Sequence, residues 1–147
     1  SIINFVKLIK KKNILVMNGD SYAKINLKKF ISTYKKKNFD GLVAMNKSIK
    51  NETRYGSINL DEKNRILKFS EKTKIQTNYI NAGVYLFKKK IFSRFNQSKK
   101  YSLEYDLFKH LIKSHEIYGW PFATKLIDIG TPSSFVKASK YFNNEFD

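Results

Sequence analysis

Short apolar runs that stop at a turn, alternating with stretches of helical period, constrain this chain to an α/β class with a mixed sheet. Ile14-Leu15-Val16-Met17 closes on Asn18-Gly19-Asp20, and a second run closes on Asp128-Ile129-Gly130-Thr131-Pro132. Each run reads as a strand with a carboxylate at its mouth. In an open α/β sheet, ligands gather where strands end, so two such aspartates can face one another across a site. Two carboxylates and little else suit a Mg²⁺ ion handling phosphates, because it keeps its waters and takes one or two protein oxygens.

The rest of the chain fills in the alternation. Ile2, Phe5, Val6 and Ile9 recur at helical spacing and predict an opening amphipathic helix, with Ile14–Met17 a short buried strand after it. Asn26 is placed to cap a helix with Leu27, Phe30, Ile31 and Tyr34 on one face. Asp40-Gly41 turns into a strand at Leu42–Met45, and residues 46–54 read as a loop. Tyr55–Leu60 and Arg65–Phe69 form a hairpin across Asp61-Glu62-Lys63-Asn64. Val84–Phe87 is a strand entered through Asn81-Ala82-Gly83, and Ser102 caps a helix bearing Leu103, Leu107 and Leu111. After Trp120-Pro121 a strand over Ala123–Ile127 ends at Asp128. Thr131 and Pro132 then open a closing helix with Phe135, Ala138 and Phe142 inward.

Length and composition narrow the class further. A chain of 147 residues is one domain by size, and 41% hydrophobic content with 12 Phe and 9 Tyr supplies a core. No apolar run approaches the roughly 20 residues that span a bilayer. Lys7 and Lys10 interrupt the Ile2–Ile9 stretch, against a signal peptide, and a cytoplasmic protein is the expectation. The absence of cysteine excludes disulfides, thiolate zinc sites and a cysteine nucleophile.

The formal charge of +17 invites a nucleic-acid reading. Against it, nearly all the positive charge is Lys; only Arg54, Arg65 and Arg94 are arginine, the residue that reads bases bidentately. The lysine runs, such as Lys10-Lys11-Lys12, Lys35-Lys36-Lys37 and Lys88-Lys89-Lys90, fall on several elements and read as solvated faces. Neither a nucleic-acid partner nor a membrane is expected. A basic surface still draws small anionic substrates inward.

Single motifs have plain readings. Asn18-Gly19-Asp20 is by itself a common turn, and Asp128 with Thr131 suits helix capping. Glu71-Lys72 is a surface pair or a carboxylate for sugar hydroxyls beside a point charge for phosphate. Asn81-Ala82-Gly83 is a turn or a place where backbone approaches a ligand. His110 and His115 lack a metal-site pattern, with His110 on the exposed side of its helix, and no Gly-x-Ser-x-Gly elbow supports nucleophilic hydrolysis.

In order and spacing these pieces resemble the sugar-1-phosphate nucleotidyltransferases, most closely the bacterial guanylyltransferases acting on D-glycero-D-manno-heptose 1-phosphate or mannose 1-phosphate. The words that match are Leu15-Val16-Met17-Asn18-Gly19-Asp20, Tyr55-Gly56 leading to Glu71-Lys72, Asn81-Ala82-Gly83-Val84-Tyr85-Leu86-Phe87, Ser102-Leu103-Glu104 with Asp106, and Asp128-Ile129-Gly130-Thr131-Pro132. The resemblance implies a Rossmann-like nucleotide-diphospho-sugar transferase fold over residues 1–147. It implies that Asp20 and Asp128 are catalytic and hold Mg²⁺. Lys72 would bind the sugar phosphate and Glu71 the sugar hydroxyls, with Asn18, Gly19, Gly56, Asn81 and Gly83 lining the substrate pocket. The partners would be a nucleoside triphosphate and a sugar 1-phosphate, with a homo-oligomer left open.

Three departures stand out. The family's N-terminal glycine-rich loop, which clamps the triphosphate and reads the base, has no counterpart here. Lys24-Ile25-Asn26 stands where acidic residues are frequent, and Ser133-Ser134 where an acidic pair is common. The expectation is therefore the C-terminal part of such an enzyme, inactive by itself. A catalytically dead relative serving as a regulatory or assembly subunit, and thymidylyl or uridylyl transfer to glucose 1-phosphate, are the alternatives.

Overall fold

The computed structural model describes residues 2–47, 56–70, 79–96 and 98–146. The elements are α1 (Ile2–Leu8), β1 (Asn13–Met17), β2 (Ser21–Ala23), α2 (Leu27–Lys37), β3 (Gly41–Lys47), β4 (Ser57–Leu60) and β5 (Ile66–Ser70). They continue with β6 (Tyr79–Lys88), α3 (Phe108–Ser114), β7 (Ile117–Phe122), β8 (Leu126–Asp128) and α4 (Pro132–Phe146). A 3₁₀ turn over Lys89–Phe92 follows β6, and a π-helical turn over Leu103–Leu107 leads into α3.

The sheet runs β5-β4-β6-β3-β7, with β1 beside β6. It is mixed, as the sequence predicts: β3 and β7 are parallel, and every other pair in it is antiparallel. β6 is the long central strand. β4 takes the start of one edge and β1 its end, at Met17↔Val84 through Asn13↔Lys88. On its far edge β1 carries no strand among the described residues.

Side chains of β3 and β6 alternate between two cores, because successive residues of a strand point to opposite faces. Val43, Met45, Tyr85 and Phe87 meet Ile3 and Val6 of α1 and Phe108 and Leu111 of α3 on one face. Leu42, Ala44, Ala82, Val84 and Leu86 meet Phe30 and Tyr34 of α2 on the other. Both faces being covered explains why these strands read as continuous apolar runs. Asn26 caps α2 as expected, its side chain accepting from the Lys29 N–H (2.9 Å). The hairpin also forms, with Asp61 Oδ1 accepting from the Lys63 and Arg65 N–H groups and Asn64 at φ 64°.

Several expectations need correction. Asn81-Ala82-Gly83 is not an entry turn but lies inside β6. Trp120-Pro121 lies within a strand the sequence does not predict, β7, where the missing proline N–H is tolerated because β7 is at the sheet's edge among the described residues. The strand expected over Ala123–Ile127 is the shorter β8, and its partner β2 follows the Asn18-Gly19-Asp20 turn at Ser21–Ala23, where the sequence predicts no strand. β1 is only partly buried, since Leu15 and Met17 are exposed. Phe5 (68% exposed) and Phe135 (58%) point outward, and the inward positions are Ile3 and Val6 in α1 and Ser134 and Ala138 in α4. Of the loop expected at 46–54, Asn46 and Lys47 instead belong to β3; residues 48–54 and Tyr55 lie outside the described residues. No helix among the described residues is long and apolar enough to cross a membrane.

Candidate functional site

β1 ends at Met17 and delivers Asn18-Gly19-Asp20 beyond the sheet. The turn is fastened to β6: the Asn18 N–H donates to the Gly83 carbonyl (2.8 Å). Gly83 holds φ +72°, and a Cβ there would lie 2.8 Å from Asn18 Cγ. Glycine is required both for the left-handed backbone and for the space that the Asn18 side chain fills. Gly19 has open space around it.

The chain then zips Ser21–Ala23 antiparallel to Leu126–Asp128, with Ser21 opposite Asp128. The Ile129 N–H donates to the Asp20 carbonyl (2.9 Å), so both aspartates sit at the same end of this small ladder. Their carboxylates converge on Gly130. A Cβ at Gly130 would lie 3.0 Å from Asp128 Oδ1 and 3.7 Å from Asp20 Oδ2. Ser21 Oγ donates to Asp20 Oδ1 (3.3 Å), and the Gly130 N–H donates to Asp128 Oδ1 (2.7 Å). Asp20 is exposed and Asp128 half-buried.

The capping of α4 falls to other residues. Thr131 Oγ1 accepts from the Ser134 N–H (3.2 Å), and Ser134, buried, donates from Oγ to the Thr131 carbonyl (3.0 Å). Asp128 is thereby left to face Asp20 rather than the helix end. No cluster of three or more His, Cys, Asp or Glu residues occurs among the described residues. A lone pair of carboxylates around a space kept clear by glycine fits a hard, well-hydrated cation such as Mg²⁺, and lacks the nitrogen and sulfur donors of a zinc site.

A second polar group lies along β6. Asn81, buried, donates from Nδ2 to Tyr85 Oη (2.6 Å) and to Glu104 Oε1 (2.6 Å), while its Oδ1 accepts from the Gly83 N–H (3.2 Å). Tyr85 Oη donates to the same Glu104 oxygen (2.7 Å). The Asn81 N–H donates to the Gly56 carbonyl (2.8 Å), and Gly56 abuts the Phe69 ring, whose Cζ a Cβ would approach to 2.8 Å. Hydrogen bonds therefore link Asn18, Gly83, Asn81 and Gly56 in series. Glu71 and Lys72 lie outside the described residues.

Glu104 is the residue that sequence reasoning left without a role. It belongs to the π-helical turn that Ser102 caps, with Ser102 Oγ accepting from the Tyr105 N–H (3.2 Å). Such turns are frequent at functional sites because they shift side chains out of helical register. The signals were a carboxylate two residues past a capping serine and the family word Ser102-Leu103-Glu104, which carried no role with it. His110 is exposed, as expected.

Residues 1–145 match the family described as Nucleotidyl transferase. The chain belongs to that family. Among curated relatives, this nucleotidyl transferase chain is 31% identical over 130 residues to the D-glycero-alpha-D-manno-heptose 1-phosphate guanylyltransferase of Aneurinibacillus thermoaerophilus. That match covers 88% of this chain and 56% of the relative. It is 29% identical over 145 residues to the glucose-1-phosphate adenylyltransferase of Clostridium acetobutylicum, covering 92% of this chain and 38% of the relative. Among solved structures, HddC from Yersinia pseudotuberculosis superposes with a TM-score of 0.81 at 29% identity, covering 96% of this chain and 60% of HddC. HddC has also been crystallised in complex with GMP-PN. The nucleotidyl transferase chain thus spans less than two thirds of the length of each of these proteins. The fold is the Rossmann-like one of the nucleotide-diphospho-sugar transferases, as the sequence resemblance implies.

Proposed function

We propose that this chain supplies the carboxylate and sugar half of a sugar-1-phosphate nucleotidyltransferase. The observation that carries it is the convergence of Asp20 and Asp128 on the space beside Gly130. In the reaction, an oxygen of the sugar 1-phosphate forms a bond to the α-phosphorus of a nucleoside triphosphate. The bond from that phosphorus to the β,γ-phosphates breaks, and pyrophosphate leaves. GTP is the proposed donor and a heptose or mannose 1-phosphate the acceptor, in line with the guanylyltransferase relative. The product would feed cell-surface polysaccharide from the cytoplasm.

Asp20 and Asp128 would hold Mg²⁺, which when bound neutralises charge on the reacting phosphates. The chain's own residues position the acceptor. Asn81, its Nδ2 held by Tyr85 and Glu104, keeps Oδ1 beside the Gly83 N–H, where it would accept from a sugar hydroxyl. Asn18 and Gly19 shape the mouth of the pocket. Glu71 and Lys72 would bind the sugar hydroxyls and the sugar phosphate.

The edge of β1 that carries no strand among the described residues, with Leu15 and Met17 exposed, fits a fold that is complete only with further strands. A triphosphate clamp would come with them, so the isolated chain would be inactive. The test joins this chain to an N-terminal half from a family member and measures pyrophosphate release from each nucleoside triphosphate with heptose, mannose and glucose 1-phosphates. Release with GTP and heptose or mannose 1-phosphate is expected. A joined protein that folds yet stays inactive with every pair overturns the proposal and leaves a catalytically dead subunit.

A further inference from the structure

At the opposite end of β1 from Asp20, a cavity of about 660 Å³ opens between α1, the loop before β1 and the 3₁₀ turn after β6. Five residues of strand at about 3.3 Å each put it roughly 15 Å from the aspartate pair. Its floor is apolar, with Ile3, Val6 and Phe92 no more than 3% exposed. Among the described residues its wall carries no carboxylate and is dense in lysine.

The lysines divide into two sets. Those after β6 are committed to the fold: Lys88 and Lys90 lie 3.3 and 3.8 Å from Asp40 Oδ1. Lys89 Nζ donates to the carbonyls of Lys7 (3.4 Å) and Ile9 (2.6 Å). Those carbonyls end α1 and would otherwise repel an anion, so Lys89 removes the main negative feature of the cavity. The other set is Lys7, Lys10, Lys11 and Lys12. All four are exposed, and among the described residues none of their ammonium groups has an ion pair or hydrogen bond. Four unmatched cations around a concave, low-dielectric floor focus a positive potential that a convex lysine-rich helix does not.

We propose that this cavity is a second anion site, distinct from the aspartate pair, for a compact molecule carrying two or more phosphate groups. Its volume lies within the range of small-molecule sites, about 300–1,000 Å³. The apolar floor suits a short carbon skeleton, and the four ammonium groups suit phosphates as point charges. A nucleic acid fits less well. Among the described residues no arginine lines the cavity, and Phe92, 2% exposed, is sunk too deep to stack a base.

Titration calorimetry on the full chain with inorganic triphosphate tests this. At about 0.1 M salt, where charges beyond roughly 10 Å are screened, saturable one-site binding is expected. Replacing Lys10, Lys11 and Lys12 together by Gln should weaken it at least about tenfold, since charge-assisted contacts are lost. The same charge change at Lys28, Lys137 and Lys140, exposed lysines that do not line the cavity, should cost less than about threefold. Asp128→Asn should leave binding intact. GTP as a second probe names the source: affinity equal to triphosphate marks a simple polyphosphate, and clearly tighter binding lost with the same three lysines marks a nucleotide. No saturable binding, equal weakening by both triple variants, or loss with Asp128→Asn overturns the proposal. So does duplex DNA that binds through these lysines more tightly than triphosphate.

Discussion

Asn18 sits in space that only a glycine at position 83 leaves open: its Cγ would be 2.8 Å from a Cβ there, and its N–H donates to the Gly83 carbonyl. Through this contact the central strand fixes the turn that carries Asp20. Gly83→Ala forces both a clash and a side chain at φ +72°, and should destabilise the fold by about 1–3 kcal/mol in urea denaturation. Ala82→Gly, one residue earlier, provides the comparison. A Gly83→Ala protein as stable as wild type would mean that the turn is not held this way.

Gly130→Ala should separate stability from chemistry. The added methyl would lie 3.0 Å from Asp128 Oδ1, an exposed edge where the carboxylate can shift, so stability should change by less than about 1 kcal/mol. Cation binding, followed by Mn²⁺ broadening of the Asp20 and Asp128 resonances, should weaken at least about tenfold. In the joined protein, Asp128→Asn should cut turnover at least about a hundredfold, as for loss of a catalytic metal ligand.

Glu104 holds two donors on one oxygen, from Asn81 and Tyr85. Glu104→Ala removes the acceptor that Asn81 and Tyr85 share in a buried site and should cost about 1–3 kcal/mol. Combined with Tyr85→Phe, the loss should fall below the sum of the single changes, because the residues share one network. Additive losses would show that the three residues act separately.

Two groups near the base of the sheet tie stability to pH. Burial, aided by the Asp40 charge, pushes the Tyr34 hydroxyl from 10.0 up to about 12. Its contribution is complete below pH 10 and is lost as pH rises through 12, so Tyr34→Phe should flatten that alkaline decline. Asp40 shifts the other way. Burial raises its pKa, but the Lys88 hydrogen bond, the Glu116 N–H and the charges of Lys88 and Lys90 outweigh it and hold it below 3.8. Its contribution is present above 3.8 and lost as pH falls through the lowered value. Asp40→Asn should therefore be less stable at neutral pH, and the difference should close in acid.

Local signals located most of the elements. The cap at Asn26, the hairpin turn at Asp61–Asn64 and the Thr131-Pro132 helix start depend on neighbouring backbone, and all three form where the sequence places them. β7 was missed because Trp120-Pro121 reads as a breaker, whereas an edge strand tolerates it. β2 has three residues, too few for a periodic signal, and exists only because β8 lies beside it. In α1 and α4 the period and part of the expected stripe hold, with Val6 and Ala138 buried and Ile2 and Ile9 packed on the core, but Phe5 and Phe135 face outward. Phe5 and Phe135 are as apolar as their neighbours, and which face turns inward depends on the surface the helix meets.

The sequence by itself determined the class, the alternation of strands and helices, and two aspartates at strand ends, because periodicity, turn residues and caps act over a few residues. It could not bring Asp20 to Asp128 or Asn81 to Glu104. Those meetings rest on the Ser21↔Asp128 register and on the π-helical turn folding over β6. Pairings between distant segments are set by which surfaces bury together, and only the tertiary structure decides that.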